Sequence, residues 1–220
     1  MFHLKNVVDR VLAVIGLVVF GPLLLIVAAA IRIDSPGPVF YRQARGGKGG
    51  REFRIYKFRT MVPGAEHIGL GRNVTHDDER ITRLGHWLRR ASIDELPQLL
   101  NIVLGQMSVV GPRPAPVAHL ATYDDHQRRR LEVRPGITGW AQVNGRNSLS
   151  WEDRIEHDIW YIDHWSPALD LRIVLRTPRA LISTSHLYGE DGVTTDLRAF
   201  QHAAAPTPTD DGGPGDHGTA

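Results

Sequence analysis

VLAVIGLVVFGPLLLIVAAAI, residues 11–31, runs for 21 residues without a charged side chain, between Arg10 and Arg32. At about 1.5 Å of rise per residue, a helix of this length just crosses a bilayer core of about 30 Å. The run is longer than the apolar stretch of a signal peptide and continues into RIDSPGPVF with no small-residue cleavage pattern. It therefore predicts membrane insertion. Gly21-Pro22 interrupts it near its midpoint. Proline removes a backbone donor and crowds the preceding turn, so a kink is expected there. Basic residues stand on both sides, Lys5 and Arg10 before and Arg32, Arg42, Arg45, Lys48 and Arg51 after. A spanning helix usually biases its positive charge to one side. Two arrangements stay open: a segment that enters, bends at Pro22 and returns to the same leaflet, and a kinked spanning helix.

The rest of the chain is long enough for one domain with a real core. It has 220 residues, 26 Lys and Arg, 24 Asp and Glu, and no cysteine. That excludes disulfide frameworks and thiolate metal sites. Three acids, Asp210, Asp211 and Asp216, fall in the last 18 residues, which hold no Lys or Arg, so the body is mildly basic and favours an anionic partner. The 11 histidines form no HExxH or comparable pair.

Val39–Arg42 and Phe53–Arg59 read as strands of a hairpin around the Gly-rich tip GGKGG, with Lys57 and Arg59 on one strand face. The tip lacks the full phosphate-loop pattern. RITRLGHWLRR, residues 80–90, reads as a basic amphipathic helix suited to an anionic membrane surface or to a soluble core. Ser92-Ile93-Asp94-Glu95 has the form of a capping box, with Pro97 shortly after. Further helices are expected over 118–131, from Trp151 through Ile162, and over 168–185. Trp160, Tyr161 and Trp165 suit either a core or a membrane interface. Residues after 203 have the composition of a disordered tail.

Asp94 and Glu95 are the chemical question. Neighbouring side chains on a helix point about 100° apart, so the two acids should have separate tasks. A carboxylate is a recognised nucleophile toward phosphorus, giving an acyl phosphate. Lys57, Arg59, Arg89, Arg90 and Arg113 surround the pair in sequence and suit a diphosphate. Mg²⁺ would bridge carboxylate and diphosphate oxygens. A purely structural capping role for the acids is the competing reading.

YKFRTM (56–61), SIDELPQLLNIVLGQMSVVGPRP (92–114), VRPGITGWAQVNGRN (133–147) and LDLRIVLRT (169–177) together closely resemble the bacterial sugar transferase family, the monotopic phosphoglycosyl transferases. The likeness runs in order from about Lys5 to Arg198. It implies a re-entrant helix broken at a proline, matching Pro22, although many members carry serine where this chain has Gly21. It implies a catalytic acid pair, matching Asp94 and Glu95, with Asp94 attacking the β-phosphate of a UDP-sugar and expelling UMP. The phosphosugar then passes to polyprenyl phosphate, and Mg²⁺, held at Asp94 and Glu95, is required. Lys57, Arg89 and Arg113 match the family's basic site residues. Arg59, Arg134 and Arg146 join them as substrate-binding candidates.

The expected fold is α+β and mostly helical: a re-entrant helix over 1–33, a catalytic domain over 34–202 with a short β-hairpin and amphipathic interfacial helices, and a tail over 203–220. The expected partners are a UDP-sugar, polyprenyl phosphate and the lipid bilayer at the cytoplasmic face of the bacterial inner membrane, with a homo-oligomer allowed. No nucleic-acid motif appears. A membrane-anchored scaffold and a basic nucleic-acid binder are the readings from other classes. Magnesium-dependent UMP release separates the first from an enzyme; salt-dependent oligonucleotide binding would support the second.

Overall fold

The computed structural model describes residues 2–68, 78–145 and 148–182. The apolar run lies within one long helix, α1 (Phe2–Asp34), whose helical assignment continues through Pro22. Both ends of α1 pack on the globular body. Near its start, Lys5 Nζ lies 2.6 Å from Asp170 Oδ2, and Ser108 Oγ donates to Asp9 Oδ2 at 2.5 Å. Ala13 is buried with Phe53, Ile55, Ile102 and Met107. Near its end, Val27 and Ile31 are buried with Phe58 and Leu88. Between these anchors Val18, Val19, Phe20, Leu23, Leu25 and Ile26 are exposed. The helix is long and apolar enough to cross a membrane.

The hairpin forms as expected, with a longer first strand and a second strand that starts and ends one residue earlier. β1 (Phe40–Gly46) pairs antiparallel with β2 (Glu52–Phe58), Tyr41 opposite Lys57. The tip holds a single 3₁₀ turn, and Gly49 and Gly50 have φ of 67° and 74°, where glycine pays no side-chain penalty. α2 (Arg83–Arg90) starts at Thr82, whose hydroxyl accepts from Gly85 N. A 3₁₀ segment over Ile93–Gln98 leads directly into α3 (Leu99–Val103). α3 is pinned to the free edge of β2 by one buried side chain. Asn101 Oδ1 accepts from Tyr56 N at 3.0 Å, and its Nδ2 donates to Arg54 O at 2.8 Å, as a neighbouring strand would.

The second half is organised by a small parallel pair, β3 (Ser108–Val110) and β4 (Gly136–Thr138). The helix expected over 118–131 is interrupted. α4 (Val117–Leu120) stops, and α5 (Asp125–Arg128) restarts at Asp124, which forms a capping box with Gln127. An aspartate that caps a new N-terminus ends the previous helix. α6 (Trp140–Val143), α7 (Trp151–Asp163) and α8 (Pro167–Ile182) complete the described fold. Ile155 and Ile159 of α7 and Ile173 of α8 are buried, as is Tyr161, while Trp160 stacks on Trp140 near the surface. The expected tail and the end of the 168–185 helix lie outside the described residues.

Candidate active site

The acid pair lies on the 3₁₀ segment between α2 and α3, alongside β2. Ser92 does not form the expected capping box. Its backbone is left-handed, with φ 54° and ψ 21°, and its hydroxyl caps nothing. This conformation costs a non-glycine residue on the order of 1–3 kcal/mol and is held only where the surroundings impose it. Here the segment is clamped on both sides. Ile93 packs into the cluster of Val27, Ile31, Phe58 and Leu88, and Pro97 and Gln98 are buried. Ser92 Oγ is buried without a hydrogen-bond partner.

Glu95 is the anchored acid. Its Oε1 accepts from Lys57 Nζ at 2.7 Å and from Arg113 Nη2 at 2.9 Å. Burial pushes its carboxyl up, but Arg113 and Lys57, by charge and by hydrogen bond, outweigh burial and hold it well below the usual range. Asp94 is the opposite case. Burial pushes it up to about 6, Glu95 adds to the rise, and the charges of Lys57, Arg89 and Arg113 oppose it. Among the described residues its carboxylate accepts no hydrogen bond. The cations expected to keep Asp94 ionised thus act most strongly on Glu95. Asp94 thus presents a carboxylate that no hydrogen bond among the described residues commits.

The structure sorts the remaining candidates. Arg89 is close enough to act on Asp94, and its Nε donates to Thr60 Oγ1 at 2.8 Å. Gly85 allows this approach, because a Cβ there would strike the Thr60 carbonyl. Arg59 does not share the site with Lys57. The strand ends at Phe58, and the Arg59 guanidinium turns to the C-terminus of α1. There it donates to Pro36 O at 2.5 Å, Ser35 O at 2.8 Å and Ser35 Oγ at 2.8 Å. Burial, followed by the charge of Arg32, lowers its pKa. These acceptors belong to the turn that follows α1, and the several N–H groups of one guanidinium satisfy them together. Arg134 lines a separate cavity at the start of α1. Arg146 lies outside the described residues.

Several supporting residues gave no signal in the sequence. Arg113 is held in place by its backbone: Arg130 Nη2 donates to its carbonyl at 3.2 Å, and Arg45 Nη1 to the carbonyl of Pro114 at 3.3 Å. Arg130 itself is buried, with Nη2 2.6 Å from Asp158 Oδ2 and Nη1 2.7 Å from the Tyr123 hydroxyl. The pair is separated by 28 positions, so no local pattern could announce it. Removing one member of a buried pair leaves the other uncompensated, at a cost of about 3–5 kcal/mol. Arg130→Met is expected to destabilise the protein by about that amount in denaturant titrations. Arg130→Met/Asp158→Leu is expected to recover much of the loss. A single variant as stable as wild type would show the pair to be dispensable.

The donor set bears on metal binding. Among the described residues no group of three or more His, Cys, Asp or Glu gathers around one point. Mg²⁺ is commonly held by one or two carboxylates together with substrate phosphates. Two adjacent carboxylates, one of them without hydrogen bonds among the described residues, fit an ion that arrives with a diphosphate.

Comparison with known proteins gives a family. The model of the bacterial sugar transferase family matches residues 1–184. The uncharacterized sugar transferase EpsL of Bacillus subtilis (strain 168) is 43% identical over 193 residues, covering 88% of this chain and 94% of its own length. The UDP-glucose:undecaprenyl-phosphate glucose-1-phosphate transferase of Xanthomonas campestris pv. campestris is 45% identical over 84% of this chain but 40% of its own length. A UDP-N-acetylgalactosamine-undecaprenyl-phosphate N-acetylgalactosaminephosphotransferase of Aeromonas hydrophila is 42% identical over 82% of this chain and 44% of its own length. The chain thus spans less than half the length of these two larger relatives.

Proposed function

The chain belongs to the bacterial sugar transferase family, and from that premise we propose that it transfers a sugar 1-phosphate from a UDP-sugar to undecaprenyl phosphate at a membrane surface. The observation that carries the reading is the asymmetry of the acid pair. Glu95 is locked between Lys57 and Arg113, while Asp94 beside it accepts no hydrogen bond among the described residues. An anchored acid sets the geometry, and an uncommitted one can react.

In this reading an Asp94 carboxylate oxygen attacks the β-phosphorus of the UDP-sugar. The bond from that phosphorus to the bridging oxygen breaks, and UMP leaves with the electron pair. The sugar phosphate remains on Asp94 as an acyl phosphate. A phosphate oxygen of undecaprenyl phosphate then attacks the same phosphorus and returns Asp94 as carboxylate. Arg89, Lys57 and Arg113 offset the charge gathered at the transferring phosphoryl group. Mg²⁺, held by Asp94 and Glu95 with the diphosphate, would supply further charge neutralisation. Initial rates of UMP release over a panel of UDP-sugars, with undecaprenyl phosphate and with and without Mg²⁺, test the reading. UMP release from none of them would reject it. Relatives named for glucose and for N-acetylgalactosamine transfer make those two donors the first to try.

The same reading places both ends of α1 on the cytoplasmic side. It is supported by the contacts of Lys5 and Asp9 with Asp170 and Ser108 at one end, and of Val27 and Ile31 with Phe58 and Leu88 at the other. Ends that touch one globular body cannot lie on opposite faces of a bilayer. The exposed apolar stretch between them would dip into the membrane. The chain has no cysteine, so His3→Cys and Lys48→Cys give clean labelling sites. In intact spheroplasts an impermeant thiol reagent is expected to miss both, and in inverted vesicles to reach both. Labelling from opposite sides would restore a spanning helix.

A further inference from the structure

A cavity of about 200 Å³ lies at the start of α1, against β3 and the chain leading into β4. Lys5 and His3 of α1, Lys48 of the hairpin tip, Arg134, Ser108 and Tyr161 face it. Neither acid of the reactive pair, nor any cation that acts on them, is among its lining residues. The space is far larger than the roughly 15 Å³ that one water needs.

Most of the polar groups in its wall are matched. Lys5 Nζ lies 2.6 Å from Asp170 Oδ2 and 3.6 Å from Asp9 Oδ2. Ser108 donates to Asp9, and the Tyr161 hydroxyl donates to Asp170 Oδ1 at 2.7 Å. Arg134 differs. It is half-buried, and among the described residues its guanidinium donates no hydrogen bond and meets no carboxylate at ion-pair distance. Burial lowers its pKa, the charge of Arg10 lowers it further, and Asp9 only partly offsets both. A guanidinium partly withdrawn from water, within reach of a second cation's charge and lining an open cavity, is best satisfied by an anion with paired oxygens.

We infer that this cavity is a second phosphate-binding site, in which Arg134 grips the phosphate oxygens while Lys48 and His3 stand at the rim. The adjoining turns of α1 carry Leu4, Val7 and Val8 exposed. A phosphate seated here would have an apolar surface beside it on which acyl or prenyl chains can lie, so a lipid headgroup suits the site. Free phosphate offers the same recognition chemistry, and the test separates the two.

The full chain in a non-ionic detergent is titrated calorimetrically with short-chain phosphatidic acid, with inorganic phosphate, and with the matching diacylglycerol. The phosphatidic acid is expected to bind and the diacylglycerol not to bind. Arg134→Gln is expected to weaken binding about tenfold, as the loss of a charge-assisted contact does. Arg134→Lys should weaken it less, and Lys57→Gln, at the acid pair, should leave it unchanged. Inorganic phosphate bound as tightly, and lost equally in Arg134→Gln, assigns the site to free phosphate. No binding by wild type, or binding that Lys57→Gln removes and Arg134→Gln leaves intact, overturns the proposal. Should Arg134→Gln fail to fold, Lys48→Glu at the exposed hairpin tip asks the same question, and an unchanged affinity there also overturns it. The acid-pair reading is independent, because it is judged by UMP release.

Discussion

Asp94→Asn is expected to leave no phosphosugar on the protein and to lower UMP release by on the order of 10⁴-fold or more, the scale seen when an enzymatic nucleophile is removed. Asparagine keeps the size and shape of the side chain but cannot attack phosphorus. The fold should tolerate it, because Asp94 accepts no hydrogen bond among the described residues and its desolvated charge is a cost to the folded state. Loss of activity would then be a chemical loss. The wild-type protein, incubated with labelled UDP-sugar and Mg²⁺ but without lipid acceptor, should release UMP once per active site and retain label on the peptide that contains Asp94. Transfer to added undecaprenyl phosphate should discharge it, giving ping-pong kinetics. If wild type releases UMP only when acceptor is present, and no label is trapped, transfer is direct. Asp94 would then lose its role as nucleophile, and Glu95 would be the candidate base for the lipid phosphate.

Glu95→Gln provides the contrast. It removes the charge that Lys57 and Arg113 share, so it should disturb the positions of both cations while leaving the Asp94 carboxylate in place. A slowed but detectable adduct is the expected pattern.

Which parts of this site could be read in the sequence follows from how local each feature is. The apolar run, the hairpin and the acid pair are contiguous stretches, and each appears where periodicity and turn residues place it. Lys57 is legible because strand β2 is short and regular. Arg59, two residues on, shares its face only if the strand continues. It stops at Phe58, and Arg59 is drawn to the carbonyls of Ser35 and Pro36 in the turn after α1. Ser92 fits the cap pattern, but a cap needs extended backbone, and the packing of Ile93 and Pro97 imposes a left-handed turn instead. Asn101, Arg130 and Asp158 act through partners far along the chain, and only the fold brings them together.

Arg113 and Arg59 make the sharpest remaining test, since sequence alone groups them as diphosphate ligands. Arg113 Nη2 contacts Glu95, and its side chain remains 49% exposed beside the acids. Lysine would keep the charge but lose the planar fork that can hold one oxygen of Glu95 and another of a diphosphate. Arg113→Lys should therefore lower turnover about a hundredfold, the scale for losing one preorganised donor at a developing charge, with little change in melting temperature. Arg59→Lys should do the reverse. An ammonium cannot reach Pro36 O, Ser35 O and Ser35 Oγ in the same fan, so the end of α1 loosens and the melting temperature falls. Turnover per folded molecule should stay close to wild type, because the Arg59 guanidinium is committed to the end of α1. UMP-release rates and thermal melts on the same preparations separate the two effects. An Arg59→Lys protein that melts normally but turns over as slowly as Arg113→Lys would return Arg59 to the diphosphate, and would require residues 31–36 to release it when substrate binds.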